Sequence, residues 1–110
     1  MQFLIIARDG RDARALERRL KVRAQHLANA ERLQHAGHLL IGGALLDDDG
    51  QMIGSAAVAE FDSRAELDDW LRTDPYVTGH VWQHIEVIPY RVAPHYTFTR
   101  QAEQSVKAGA

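Results

Sequence analysis

The 110-residue sequence has no cysteine, only three prolines and no long hydrophobic run. Without cysteine, the chain can form neither a disulfide nor a thiolate-ligated metal site. Residues 3–7 form an apolar run of five residues, whereas a helix that crosses a bilayer needs about 20. The N-terminus also lacks the basic region and small-residue cleavage site of a signal peptide. We therefore expect one soluble, cytoplasmic domain that does not act in a membrane.

A strong charge of one sign is also missing, because the formal net charge is only −2. The distribution is nevertheless uneven: residues 1–46 carry eight Lys and Arg against four Asp and Glu, and residues 47–74 carry two against nine. A nucleic-acid-binding domain is typically basic and carries a recognisable motif. We therefore expect no nucleic-acid partner. The uneven charge distribution is typical of a basic helix near an acidic segment, or of two solvated faces.

Hydrophobic periodicity predicts three elements in the first half of the chain and the start of a fourth. Residues 3–8, five of which are apolar, predict a buried strand. Apolar residues then recur at helical spacing over 12–36, followed by Gly37 as a left-handed C-cap. The strand-like runs 38–46 and 52–61 are separated by aspartates and a glycine. They predict an antiparallel hairpin.

The second half of the chain predicts one helix, a short helical turn and a last strand. A Ser63 capping box opens a helix over 63–72, and Pro75 ends it. The proline can open one further helical turn that ends near Gly79, and residues 81–87 predict a strand. The order strand, helix, strand, strand, helix, strand predicts an α+β fold, the ferredoxin-like βαββαβ sandwich.

One sheet face of such a sandwich carries both helices, and the other face is bare. Both alternating sets of the first strand are apolar here, with Phe3, Ile5 and Ala7 on one side and Leu4 and Ile6 on the other. A large exposed apolar face indicates an interface, and two-fold dimers are the commonest soluble assemblies. We therefore expect a homodimer in which two sheets pack face to face.

The six histidines do not have the spacing of a metal site. His80 and His84 lie in a predicted strand, where four residues span about 13 Å. One ion held about 2 Å from each nitrogen cannot bridge that distance. His35 and His38 lie on either side of Gly37, where the helix should end. We therefore expect no metal site.

Two residues are candidates for acid–base chemistry. His26 lies at the edge of a predicted buried leucine stripe, where partial burial lets one nearby charge change its protonation. The stripe consists of Leu16, Leu20, Leu27 and Leu33. Asp74 precedes Pro75, where it can cap the next turn or pair with His26. Position alone equally allows His26 to be a boundary histidine bonded to water or to a carbonyl.

Other residues carry weaker signals. Gly42 and Gly43 lie inside a predicted strand. Glycine weakens a strand, and at such positions the missing side chain often leaves room for a ligand or for a partner's backbone. Ser55 has no visible base beside it, so a nucleophilic role is not favoured. Tyr76 and Trp82 are most simply aromatics of the core or of an interface.

Several segments together resemble the YCII-related (YciI-like) family of dimeric α+β barrel proteins. The most specific are Arg23-Ala24-Gln25-His26-Leu27 and Asp74-Pro75-Tyr76-Val77, supported by residues 37–43 and 86–90. The resemblance covers residues 1 to about 92. It predicts a family domain over 1–93 and a C-terminal extension over 94–110. In that extension, Tyr96-Thr97-Phe98 would add a strand or an arm over a partner, and the end would be frayed.

The resemblance implies an active-site pair formed by His26 and Asp74. In this reading His26 is the base and Asp74 orients it, while Arg23 or Tyr76 holds an anion and Gly42 and Gly43 line the pocket. The implied chemistry is cofactor-free lyase or isomerase chemistry on a small aromatic or lactone-like molecule, including removal of HCl from chlorinated aromatics.

Two other functions stay open. One is a non-catalytic homodimer that binds a small ligand or a partner protein, with His26 and Asp74 as structural hydrogen-bonding groups. The other, a cofactor-independent oxygenase, rests only on the shared barrel architecture.

Overall fold

The computed structural model describes residues 1–96 as a four-stranded antiparallel sheet with helices packed on one face. The strands are β1 (Gln2–Asp9), β2 (Leu39–Leu46), β3 (Met52–Glu60) and β4 (Trp82–Tyr90), and the helices are α1 (Ala15–His35), α2 (Arg64–Leu71) and α3 (Pro75–Thr78). The strand order is β2-β3-β1-β4, and every neighbouring pair is antiparallel. This order confirms the predicted ferredoxin-like α+β fold, which is the subunit fold of the dimeric α+β barrels.

The core lies between the helices and one face of the sheet. Phe3, Ile5 and Ala7 alternate along the central strand β1, and each is at most 2% exposed. They pack against apolar side chains of the helices, among them Leu67 and Tyr76. The period-2 alternation of a strand therefore places one apolar set of β1 in the core.

The opposite face of the sheet carries no helix from the described residues. Leu4 and Ile6 point to this face, and their cross-strand partners in β3 are Val58 and Ala56. Ile88, the partner of Leu4 in β4, is 39% exposed. The prediction of a bare, apolar sheet face is therefore confirmed.

The predicted helix ends are also found. The Ser63 side chain accepts a hydrogen bond from the backbone of Glu66 at the start of α2, and Gly37 has a φ of +82° just after α1. The last strand is longer than predicted, because β4 continues through Pro89 to Tyr90. A proline is tolerated there because β4 is an edge strand, where a missing N–H removes no essential ladder bond.

The predicted leucine stripe of α1 is wrong for two of its four leucines. Leu20 and Leu27 are 53% and 47% exposed, whereas Arg19 is only 3% exposed. Val22 and Leu33, which lie three and 14 residues after Arg19, pack against the core. The buried side of α1 carries Arg19 and His26, which both have buried acidic partners. Asp9 lies at the end of β1, and Asp74 lies just before α3. His26 thus lies on the buried face rather than at its edge.

No helix within residues 1–96 is both long and apolar enough to cross a membrane. Most of the predicted extension, including Thr97 and Phe98 of the proposed arm, lies outside the described residues. The division into 1–93 and 94–110 stays a prediction.

Two strand glycines are expected to respond oppositely to alanine. A Cβ on Gly54 would lie 2.4 Å from the carbonyl oxygen of Ala7, whereas a Cβ on Gly43 would meet nothing within 4 Å. We expect Gly54→Ala to lower the free energy of unfolding by about 1–3 kcal/mol through overpacking. Gly43→Ala should raise it by up to about 1 kcal/mol, because alanine has less conformational freedom to lose. Urea unfolding measures both, and equal effects would contradict this interpretation.

Candidate active site

A cavity of about 530 Å³ opens between α1 and the strands β2 and β3. Five of the six residues predicted for the site line it: Arg23, His26, Gly42, Gly43 and Tyr76. The sixth, Asp74, is not in the lining and is bonded to the His26 ring. The fold therefore gathers residues from α1, β2 and α3 that are up to 53 positions apart in the sequence.

His26 and Asp74 form a close pair. The Nδ1 atom of His26 lies 2.8 Å from Oδ1 of Asp74, whose side chain is fully buried, while the His26 side chain is 15% exposed. The backbone N–H of Tyr76 also donates to Oδ1 over 2.9 Å, and the amide of Asn29 reaches Oδ2 at 3.4 Å. Asp74 is therefore both the N-cap of α3 and the partner of His26, the two roles that the sequence left as alternatives.

The surroundings of Asp74 determine which nitrogen of His26 carries hydrogen. An ionised carboxylate only accepts hydrogen bonds, so His26 donates through Nδ1–H. The other nitrogen, Nε2, has no hydrogen-bond partner among residues 1–96 and is not fully enclosed. In the neutral ring Nε2 carries a lone pair, and His26 is one of the residues that line the cavity. The geometry is that of a base oriented by a carboxylate.

Two aromatic rings hold the imidazole in place. Tyr76 stacks on His26 with ring centres 3.8 Å apart, and Trp82 meets it edge-on at 5.6 Å. Burial raises the pKa of the Tyr76 hydroxyl, although the charges of Arg19 and Arg23 oppose this change. The phenol consequently keeps its proton at neutral pH, so it can donate a hydrogen bond but cannot act as a base.

A second polar cluster lies beside the first and was not predicted. The Nη1 group of Arg19 donates to both carboxylate oxygens of Asp9 at 3.1 Å, and Nη2 donates to Oγ of Ser55 at 2.9 Å. The indole N–H of Trp82 donates to the same Oγ at 3.1 Å. The guanidinium also lies over the Tyr76 ring, 4.5 Å from its centre.

The sequence held one weak signal for this cluster. Arg19, Val22, His26 and Leu33 are spaced three, four and seven residues apart, which places them on one helix face. The leucine stripe seemed the stronger pattern because polar residues rarely form the buried side of a helix. Nothing in the local sequence shows that Asp9, at the end of β1, supplies the counter-ion.

Burial and pairing with Arg19 change the pKa of Asp9 in opposite directions. Burial raises the pKa of its carboxyl group, while the charge and hydrogen bonds of Arg19 lower it. The side chains of both residues are only 3% exposed, so each depends on the other for compensation.

Within residues 1–96, no group of three or more His, Cys, Asp or Glu side chains is arranged to hold a metal ion. The cations of the cavity wall are arginines, Arg19 and Arg23. Because guanidinium groups are permanent cations, they attract anions and do not ligate metals.

Comparison with known proteins identifies the family. The profile of the YCII-related domain matches residues 1–91. The chain belongs to the YCII-related family. Protein YciI of Escherichia coli O6:H1 is 37% identical over 97 residues, covering 83% of this chain and 97% of that protein. An uncharacterized protein of Haemophilus influenzae is 35% identical with the same coverage.

Among solved structures, this YCII-related protein resembles TftG, the 5-chloro-2-hydroxyhydroquinone dehydrochlorinase of Burkholderia phenoliruptrix, in complex with 2,5-dihydroxybenzoquinone. The TM-score is 0.75 with 28% identity, and the match covers 86% of this chain and 98% of that one. A NIPSNAP domain protein of Burkholderia xenovorans, 14% identical with a TM-score of 0.50, shares the fold alone.

The buried Arg19–Asp9 pair should carry much of the stability of the site. We expect Arg19→Met to lower the free energy of unfolding by about 3–5 kcal/mol, because it leaves a buried carboxylate unpaired. Arg18→Met is the matched control, since Arg18 pairs with Asp12 at the surface and should matter little.

The loss in Arg19→Met should also depend on pH. Burial already raises the pKa of Asp9, so the folded state binds its proton more tightly than the unfolded chain does. Stability of the variant should therefore be greatest in acid and fall as pH rises above the ordinary aspartate range. Urea unfolding at pH 4 and pH 7 measures this, and an equal penalty at both values would contradict it.

Proposed function

We propose that this YCII-related protein is a cofactor-free enzyme of the lyase or isomerase type that moves protons with the His26–Asp74 pair. The observation that carries the proposal is the 2.8 Å contact between Nδ1 of His26 and the fully buried Asp74, in a histidine that lines the cavity. The Nε2 atom of the same ring has no hydrogen-bond partner among residues 1–96 and is available to a ligand in the cavity.

The proposed reaction begins when Nε2 of His26 takes a proton from the substrate. The imidazolium that forms is stabilised by the Asp74 carboxylate through the existing Nδ1–H bond. In an isomerisation the proton returns to another atom of the substrate. In a dehydrochlorination the released electron pair forms a double bond while chloride leaves with the electrons of the C–Cl bond. Neither reaction requires an oxidant or a reductant.

The cavity favours a small, flat substrate that becomes anionic. Its aromatic wall includes Tyr76 and Trp82, and its volume of about 530 Å³ suits a single-ring molecule. The protonated Tyr76 hydroxyl and the Arg23 guanidinium are the groups we propose to hold the developing enolate or phenolate. The likeness to TftG supports an aromatic substrate of the hydroxyquinone type.

We further propose that the working unit is a homodimer formed through the bare sheet face. The apolar centre of this face includes Leu4, Ile6 and Val58, and its edges carry Arg8 and Glu86. Removal of such a surface from water is the main favourable term in association. The cytoplasmic location stays a prediction from the sequence.

The His26→Asn variant tests the base. With 5-chloro-2-hydroxyhydroquinone as substrate and chloride release as the measurement, we expect the rate to fall about 10²–10⁴-fold, the usual contribution of a general base. Asp74→Asn keeps an N-cap oxygen but weakens the pair, so it should also lose rate while α3 stays folded.

His35→Asn is the matched control, because His35 lies on the same helix with a side chain that is 78% exposed. Its rate should equal that of the unmodified protein. Unchanged turnover in His26→Asn would refute the assignment of His26. Tight binding of 2,5-dihydroxybenzoquinone without any turnover would favour the non-catalytic binding protein instead.

The dimer is tested by charging the bare face. The chain mass is 12.4 kDa, so we expect light scattering at micromolar concentration to give about twice that value. Ile6→Glu places a carboxylate in the centre of the face beside Glu86, its cross-strand partner, and should yield monomers. Gln2→Glu, at the rim, should stay dimeric. A strict monomer in the unmodified chain would end the proposal.

A further inference from the structure

Ser55 has an unusual set of hydrogen bonds. Its Oγ atom accepts from Nη2 of Arg19 at 2.9 Å and from the indole N–H of Trp82 at 3.1 Å. Guanidinium and indole groups can only donate, so both contacts use the lone pairs of the hydroxyl oxygen. A hydroxyl has two acceptor sites and one hydrogen. The acceptor capacity of Ser55 is therefore used up, and only its O–H is free.

That O–H needs an acceptor. Ser55 is 7% exposed, it lines the cavity, and no acceptor for its hydrogen occurs among residues 1–96. A buried donor without a partner is costly, which makes a ligand acceptor favourable. We propose that the Ser55 hydroxyl binds an anionic oxygen of the ligand, and that Arg19 and Trp82 hold it in the orientation of a donor.

The charge of Arg19 strengthens this donor. A hydroxyl that accepts a hydrogen bond from a cation becomes more acidic, because hydrogen bonds in a chain polarise one another. Arg19 is itself fixed by Asp9 and by the Tyr76 ring, so the polarising group is already in place before a ligand enters. Ser55 is not a nucleophile in this arrangement, because no base among residues 1–96 accepts its proton.

The donor and the proposed base face the same cavity. Trp82 donates a hydrogen bond to Ser55 and meets the His26 ring edge-on, with ring centres 5.6 Å apart. Tyr76 contacts both the Arg19 guanidinium and the His26 ring. A flat molecule in the cavity can therefore present a ring oxygen to Ser55 and an acidic proton to His26. The inferred ligand class is a small aromatic or quinonoid molecule with an enolate or phenolate oxygen. This inference rests on the proposed function and adds the group that binds the anion.

Calorimetric titration with 2,5-dihydroxybenzoquinone tests the role of Ser55 without requiring turnover. We expect Ser55→Ala to bind this probe at least about 10-fold more weakly, as is usual when a hydrogen bond to a charged group is lost. Ser55→Thr keeps the hydroxyl and should retain most of the affinity. If Ser55→Ala does not fold, Ser55→Cys decides the question, because a thiol is a weak donor of similar size.

Three results would overturn the inference: unchanged affinity in the folded Ala or Cys variant, an equal loss in Ser55→Thr, or no binding of the probe by the unmodified chain at millimolar concentration. The outcome is separable from that of the proposed function. Affinity that depends on Ser55 in a chain without turnover would refute the enzyme and keep the inference. Turnover that depends on His26 but not on Ser55 would support the enzyme and refute the inference about Ser55.

Discussion

The Asp74 carboxylate is fully buried, and the rest of the site depends on how it is satisfied. A buried carboxylate without partners would cost several kcal/mol, so the protein surrounds it with donors from two helices. The ring of His26 in α1 and the backbone N–H of Tyr76 in α3 both bond to Oδ1. These bonds set the rotation of α1 and the position of α3 together, which explains why exposed leucines and a buried arginine occur on the same helix.

The cavity follows from that rotation. The lining that α1 contributes consists of polar side chains, among them Arg19 and His26, together with Leu27 and the small Ala30. The facing strand residues are small, among them Gly42, Ser55 and Ala57, so nothing replaces the missing volume. Protein interiors are otherwise close-packed. A cavity at this place therefore needs both the α1 lining and the small side chains of the facing strands. Large side chains in the core elsewhere, such as Phe3 and Leu67, show that the chain packs densely where function does not require room.

Two polar pairs with different roles share one aromatic wall. The Nε2 atom of His26 has no hydrogen-bond partner among residues 1–96, whereas Arg19 is bonded to both Asp9 and Ser55. Tyr76 contacts His26 and Arg19, and Trp82 contacts His26 and Ser55. Catalysis by proton transfer needs a base on one side of a substrate and a donor for the developing anion on another. In the described structure His26 lies in α1, Ser55 in β3 and Asp74 at the N-cap of α3, all near one cavity.

The sequence by itself determined the element order, the helix caps at Ser63 and Gly37 and the bare apolar face, and it singled out His26 and Asp74, which the structure places in contact. These features are readable because period, capping and turn chemistry are local. The residues left pairing with His26 as one of two roles for Asp74, and the family resemblance favoured that role. Only the tertiary structure decided which face of α1 is buried and that Asp9, Arg19 and Ser55 meet. Burial of charge depends on a counter-ion supplied from a distant strand, and no local pattern records where that counter-ion is.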